Sequence, residues 1–237
     1  MTLLDIIRAF CHRTNGIAAP SAILGSSDPS ALQLMALLEE VGNDLATRGH
    51  WSALVREATF TTLAAESQGT LASMTGDGFS HIINNTIWNR TTGQAMRVID
   101  AADWQANKAI VANGAPPFVR LRGGKLIAFP VPVAGQTWAF EYVSTQWITD
   151  STGVLLQTTF ASDTDVPLLP ATLLLAGLRA WFKKEKGLEY SEDFRAYEMQ
   201  VAHALSRDGF HGSLSMNSDN TDRRPGVLIP PAESWFT

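Results

Sequence analysis

The chain has 237 residues, 45% of them hydrophobic and 17% charged, a length for one or two compact units with enough apolar side chains to bury a real core. That balance excludes a globally disordered chain, and the sparse charge points to surface that is buried against something else. A net charge of −5 argues against a dedicated nucleic-acid binder, because a phosphate-reading surface needs clustered Lys and Arg to displace counterions.

Leu3, Ile6, Ile7, Phe10 and Cys11 recur at spacings of three and four, which stacks them on one face of a helix over residues 3–13. Asn15-Gly16 ends it. Cys11 is the single cysteine; it cannot form an intrachain disulfide and reads as a packed side chain in a reducing compartment. Asp5 and Arg8 break the apolar start, so no signal peptide is read here, and no stretch is long enough to span a membrane. After a loop with Pro20 and Gly25, Asp28-Pro29 starts a second helix: the Asp oxygen accepts from free amides, and proline is tolerated at the first helical position. This helix runs to about Arg48, with Leu34, Leu37, Leu38, Val41 and Leu45 inward and Gln33, Glu39, Glu40, Asn43 and Asp44 outward. Gly49 stops it, and Trp51 packs back.

From about Leu54 to Phe160 the period shifts toward two, with Thr, Val, Ile, Phe and Trp runs punctuated by Gly, Pro and Asn, the signature of a β domain. Phe118 to Phe129 reads as a hairpin turning on Gly123-Gly124, which tolerate the positive φ of a tight turn, and Pro130 and Pro132 end it. Trp138, Phe140 and Tyr142 alternate with Ala139, Glu141 and Val143, predicting a one-sided aromatic strand that continues toward Trp147 and Ile148. A short helix over Ala101 to Ala109 interrupts the sheet.

Helical spacing returns after Asp163. Leu174, Leu175, Leu178, Trp181 and Phe182 form a stripe closed by Lys183, Lys184 and Lys186 before Gly187, cations at the negative end of the helix dipole. Ser191, followed by Glu192 and Asp193, reads as the cap of a last helix carrying Phe194, Tyr197, Val201 and Leu205. Two helices thus flank the β region on each side. The economical architecture is α+β: a helical bundle built from both chain ends (1–52 and 163–207), an inserted antiparallel β domain (53–162), and an extended C-terminal arm (209–237). The arm is rich in Gly, Ser, Asn, Asp and Pro, too polar to offset its ordering entropy alone. Yet it ends in Val227, Leu228, Ile229, Trp235 and Phe236, an apolar set that either folds back on its own subunit or docks on a partner; in the docking reading Arg223 and Arg224 are available for ion pairs and Trp235 is the aromatic anchor.

No catalytic constellation emerges, and neither a cofactor motif nor a metal-ligand set is read. Arg122-Gly123-Gly124-Lys125 lacks the spaced glycine, the following Ser or Thr and the helix of a phosphate loop, and is a hairpin turn. The five histidines, His12, His50, His81, His203 and His211, have no ligand spacing. Asp163 and Asp165 precede a helix, where capping and turn formation explain them better than acid–base chemistry. Two glycosylation patterns, at Asn84 to Thr86 and Asn89 to Thr91, carry no meaning without a secretory route. Trp51, Trp138 and Trp181 sit in apolar patterns and read as core.

The order of segments resembles that of the head-to-tail adaptor proteins of short-tailed phages, the tail tubular protein A or gatekeeper-like group. The resemblance is carried by the helix from Leu34 to Arg48 closed by Gly49-His50-Trp51, the strands Glu57 to Thr62 and Phe140 to Ser144, and Phe160 to Asp165. It continues through the Leu-rich helix to Trp181, Lys186 to Tyr190, and Tyr197-Glu198. Between Gly69 and Phe79 the chain departs from the turn of that group. The resemblance implies a non-enzymatic virion protein of the phage neck, assembled in the host cytoplasm. It implies a dodecameric homo-oligomeric ring, joined to the portal protein by the C-terminal arm and to a tail nozzle or other tail component below. Genomic DNA would pass through the ring without sequence specificity. Two other classes stay open: a virion-associated hydrolase, which needs two carboxylates about 5 to 10 Å apart in a pocket, and a tail-fibre or receptor-binding module, which predicts exposed aromatics and threefold assembly.

Overall fold

The computed structural model describes residues 1–14, 16–76, 78–109 and 117–208. In chain order these form α1 (Leu3–Arg13), α2 (Pro29–Thr47), a single 3-10 turn (Ser52–Leu54), β1 (Val55–Thr61), β2 (Ser67–Thr70), α3 (Leu71–Thr75), β3 (Phe79–Ile82), β4 (Trp88–Asn89), β5 (Gln94–Ala95) and β6 (Arg97–Val98). There follow α4 (Ala101–Ala109), β7 (Phe118–Arg122), β8 (Lys125–Phe129), β9 (Thr137–Ser144), β10 (Ile148–Thr149), β11 (Leu156–Gln157), β12 (Val166–Pro167), α5 (Ala171–Glu185) and α6 (Ser191–Asp208). The protein is mixed α+β. Its described residues divide into two compact units, one of residues 1–56, 78–81 and 143–208, the other of 57–76, 82–109 and 117–142.

In the first unit α1, α2, α5 and α6 pack on one another, burying the stripes that the spacing marks: Ile6, Ile7 and Phe10; Leu34, Leu38, Val41 and Leu45; Leu174 and Leu178; Tyr197 and Val201. Asp28 accepts from the Ser30 amide at 2.9 Å, as a cap should. At α1, Thr2 and Asp5 exchange backbone-to-side-chain bonds in a capping box, and these hydrogen bonds hold the Asp5 carboxyl below its ordinary range. Trp51 does fold back, its Nε1 donating to the Leu45 carbonyl at 2.7 Å and so satisfying one free carbonyl at the end of α2. Trp181 is only half-buried, stacked near Phe194 and Tyr197. Ser191 is not a cap: it lies inside α6, and its own amide donates to the Glu189 carboxylate at 3.0 Å.

This unit also holds the small sheet β11-β10-β12 and with it Trp147, a fully buried side chain. Its Nε1 donates to Asn43 of α2 at 2.8 Å, and its ring meets Phe160 edge-on at 5.5 Å. The indole lies against the backbone of Gly42. Tyr197 lies over α2 likewise, sharing Asp44 with Arg48; burial, then the Asp44 charge, push its phenol well above the usual range.

The second unit carries two sheets. In one, β2-β8-β7-β6, the hairpin of β7 and β8 pairs Phe118 with Phe129 through Arg122 with Lys125, and the turn glycines Gly123 and Gly124 take φ of 58° and 71°, the double positive φ of the tight turn that suits strand twist. β6 and β7 are parallel, a departure from an all-antiparallel domain. The chain between them passes through α4, a connection long enough for a parallel crossover. Trp104 of α4 then packs with Ile99, Phe118 and Ile127. The other sheet has the order β1-β9-β4-β5. Here the one-sided strand is overturned: along β9 only Thr137 and Glu141 are exposed, and Ala139 and Val143 are as buried as Trp138 and Phe140. Both faces of β9 are packed, and whether a strand's second face is covered depends on what lies against the sheet, which period-two spacing cannot reveal.

Candidate functional site

The residues that the sequence assigns to docking, Arg223, Arg224, Val227, Leu228, Ile229, Trp235 and Phe236, fall in 209–237, outside the described residues. Among the described residues no group of three or more His, Cys, Asp and Glu side chains is arranged to hold a metal ion, and no helix is long and apolar enough to cross a membrane.

Asp163 and Asp165 do structural work, though not as a helix cap. Asp163 accepts from the amides of Ile23 and Leu24 at 3.0 and 2.9 Å, tying down the loop between α1 and α2. Asp165, buried, accepts from Ala161 and Ser162 at 2.7 and 2.8 Å. The carbonyls of the same turn receive the first amides of α1, Leu4 on Asp163 and Leu3 on Asp165. This acidic turn therefore anchors the N-terminal helix, which needs partners for its unpaired amides. Both carboxylates are committed to backbone, so the turn offers no free carboxylate pair.

Two surface features stand out as apolar groups held rigidly in water. At the tip joining β10 to β11, the Asp150 carboxylate accepts from the amides of Val154 and Leu155 at 2.9 and 3.1 Å and from the Thr152 hydroxyl at 2.5 Å. Those bonds, Thr152 first, hold its pKa below the ordinary carboxylate value. The result is a tight loop presenting Val154 and Leu155 at 82% and 60% exposure. In the second unit, buried Thr62 donates to the Val133 carbonyl at 2.6 Å and accepts from the Gln136 amide at 3.0 Å, and Gln68 bonds both backbone groups of Leu63. Leu63, Val131 and Val133 are exposed there. A partner that covers such apolar side chains, presented on backbone already held in place, gains their burial at a reduced ordering cost.

Clefts among the described residues include the following two. One, of about 400 Å³ in the second unit, is lined by Glu57, Asn85, Trp88, Arg90 and Glu141 among others; Arg90 forms an ion pair with Glu57. The other, about 240 Å³ in the first unit, is lined by Phe10, Arg13, Leu175 and Arg179 among others. Arg179 pairs with Asp193.

Sequence spacing also misses a pair of histidines. His50, beyond the end of α2, and His81, on β3, bring their Nε2 atoms to 2.8 Å. No spacing rule finds it, because the two come together only through tertiary structure.

No curated protein sequence matches the chain significantly. A family match does cover residues 1–229, thus the four packed helices, every described strand and the chain as far as Ile229. The chain belongs to the SU10 adaptor protein family, and is a structural adaptor protein of a bacteriophage.

Proposed function

We propose that this protein is a ring subunit of the head-to-tail adaptor, joining the portal to a short tail and lining the passage through which the genome leaves. The carrying observation is the family match over residues 1–229. Two further features support it. The rigid apolar displays at Val154-Leu155 and at Leu63, Val131 and Val133 suit a subunit whose surface is covered by neighbours in a closed ring, where repeated heterologous contacts reinforce one another. A net charge of −5 suits a channel wall along which DNA slides without being held. In this reading the ring is a dodecamer, and its C-terminal arm docks on the portal through Val227, Leu228, Ile229, Trp235 and Phe236. Arg223 and Arg224 add salt-sensitive pairing of small worth. The family match includes Val227 to Ile229 and stops short of Trp235.

The test is deletion of residues 209–237. The truncated protein keeps its helical content and cooperative unfolding, and no longer attaches to DNA-filled heads. Normal attachment without the arm refutes the docking role; loss of cooperative unfolding assigns the arm to the subunit core. Electron microscopy of the intact chain mixed with purified portal should show closed rings. Stable trimers with no affinity for portal would favour a receptor-binding module.

A further inference from the structure

His50 and His81 stand 31 positions apart in sequence, yet their rings lie 4.7 Å apart at 43° with Nε2 facing Nε2 across 2.8 Å. Such a contact needs one nitrogen to donate and the other to accept, so it exists only while at least one ring is neutral. The Nδ1 of His81 is 3.0 Å from the Ser80 hydroxyl. If Nδ1–H donates there, the Nε2 lone pair of His81 is directed at His50, the tautomer and the outer hydrogen bond that a metal-ligating histidine ordinarily shows. Both histidines sit on firm supports. His50 precedes Trp51, which is bonded to the end of α2, and His81 follows Gly78, whose carbonyl accepts from Thr145 at 2.7 Å.

We propose that His50 and His81 form a two-histidine site for one divalent transition ion of the zinc, nickel or copper class, bound through both Nε2 atoms, with water in the other positions. An ion at about 2.0–2.1 Å from each nitrogen in tetrahedral geometry sets the two nitrogens about 3.3 Å apart. That is a small opening of the present contact, which exposed rings accommodate by rotation about their side-chain bonds. Imidazole selects this class over magnesium and calcium, which prefer oxygen ligands. The bound ion crosslinks the end of α2 to β3.

The experiment uses the tag-free full-length chain, stripped with chelator and titrated with Zn2+ and Ni2+ by calorimetry, with Mg2+ as control. One equivalent of Zn2+ or Ni2+ binds and Mg2+ does not. Either His50→Ala or His81→Ala abolishes the binding, and Ser80→Ala weakens it by about tenfold. His12→Ala and His203→Ala leave it unchanged. In parallel, and without any variant, Zn2+ shifts the ring proton resonances of His50 and His81 in the wild-type chain, and bound Cu2+ shows two nitrogen ligands by electron paramagnetic resonance. Binding that survives both single substitutions places the ion elsewhere and overturns the proposal. So does the absence of binding with unmoved His50 and His81 resonances, which leaves a hydrogen-bonded pair and nothing more.

Discussion

Gly42→Ala is the sharpest test of how the helical unit is packed. In an open helix interior, alanine for glycine stabilises by about 1 kcal/mol. At position 42 the added Cβ would lie 2.6 Å from Cε2 of Trp147, and closer still to Cζ2 and Cη2, well inside van der Waals contact. The indole cannot easily retreat. It is fully buried, its Nε1 is bonded to Asn43 at 2.8 Å, and Phe160 meets it edge-on. Overpacking of this kind typically costs about 1–3 kcal/mol, and displacing the ring would also forfeit a hydrogen bond with a net worth of about 0.5–1.5 kcal/mol. Set against the helix gain, the net is a destabilisation of about 2 kcal/mol. For a chain of this size that lowers Tm by about 4–8 °C, measurable by calorimetry or by urea unfolding followed by circular dichroism. Trp147→Leu makes room at the contact, so the double variant should be less destabilised than the sum of the singles, with a coupling of about 1 kcal/mol or more. A raised Tm for Gly42→Ala, as at an open helical glycine, or strict additivity in the double variant, would refute the packing of Trp147 on α2.

Asp163→Ala removes the acceptor for the Ile23 and Leu24 amides; with these partly buried donors left unpaired, the expected loss is about 1–3 kcal/mol in urea unfolding, and a change below the measurement error would mean that the loop is held otherwise. Asp150 is exposed and held by donors, so its folded pKa is depressed. Its contribution to stability is therefore present above the ordinary carboxylate value and is lost as pH falls through the depressed folded value; a carboxyl carbon titration by NMR should find a midpoint below that of a free aspartate, and a midpoint at or above it would show that the Val154-Leu155 tip is not held. Cys11 is buried on α1, and burial raises its thiol pKa, so thiol reagents should label it only on unfolding; rapid labelling of the native chain would contradict the burial of that helix face.

Signals that depend on a few consecutive residues are legible in this sequence. Asp28-Pro29 marks the start of α2, Gly123-Gly124 the hairpin between β7 and β8, and the short helix over Ala101–Ala109 appears within its expected bounds. Each rests on backbone conformation and hydrogen bonding within a turn or two, which local chemistry sets by itself. The order of many weak local segments likewise pointed to a phage adaptor, and the family match agrees at that level. What spacing could not carry is which distant groups meet. Period two describes alternation along β9, but whether its second face is covered depends on what packs there, and Ala139 and Val143 are buried. The apolar run through Trp147 reads as more of the same β region, yet that ring rests on a glycine of α2. Asp163 looks like a local cap because carboxylates often serve as one, whereas its partners lie about 140 positions away. His50 and His81 show nothing in sequence at all and touch in the folded chain. Local propensity therefore marked the long helices, α4, the β7–β8 hairpin and their order; the short strands and the long-range pairings were decided by tertiary structure, because burying apolar area and satisfying buried polar groups are conditions on the whole packed chain and not on any one segment of it.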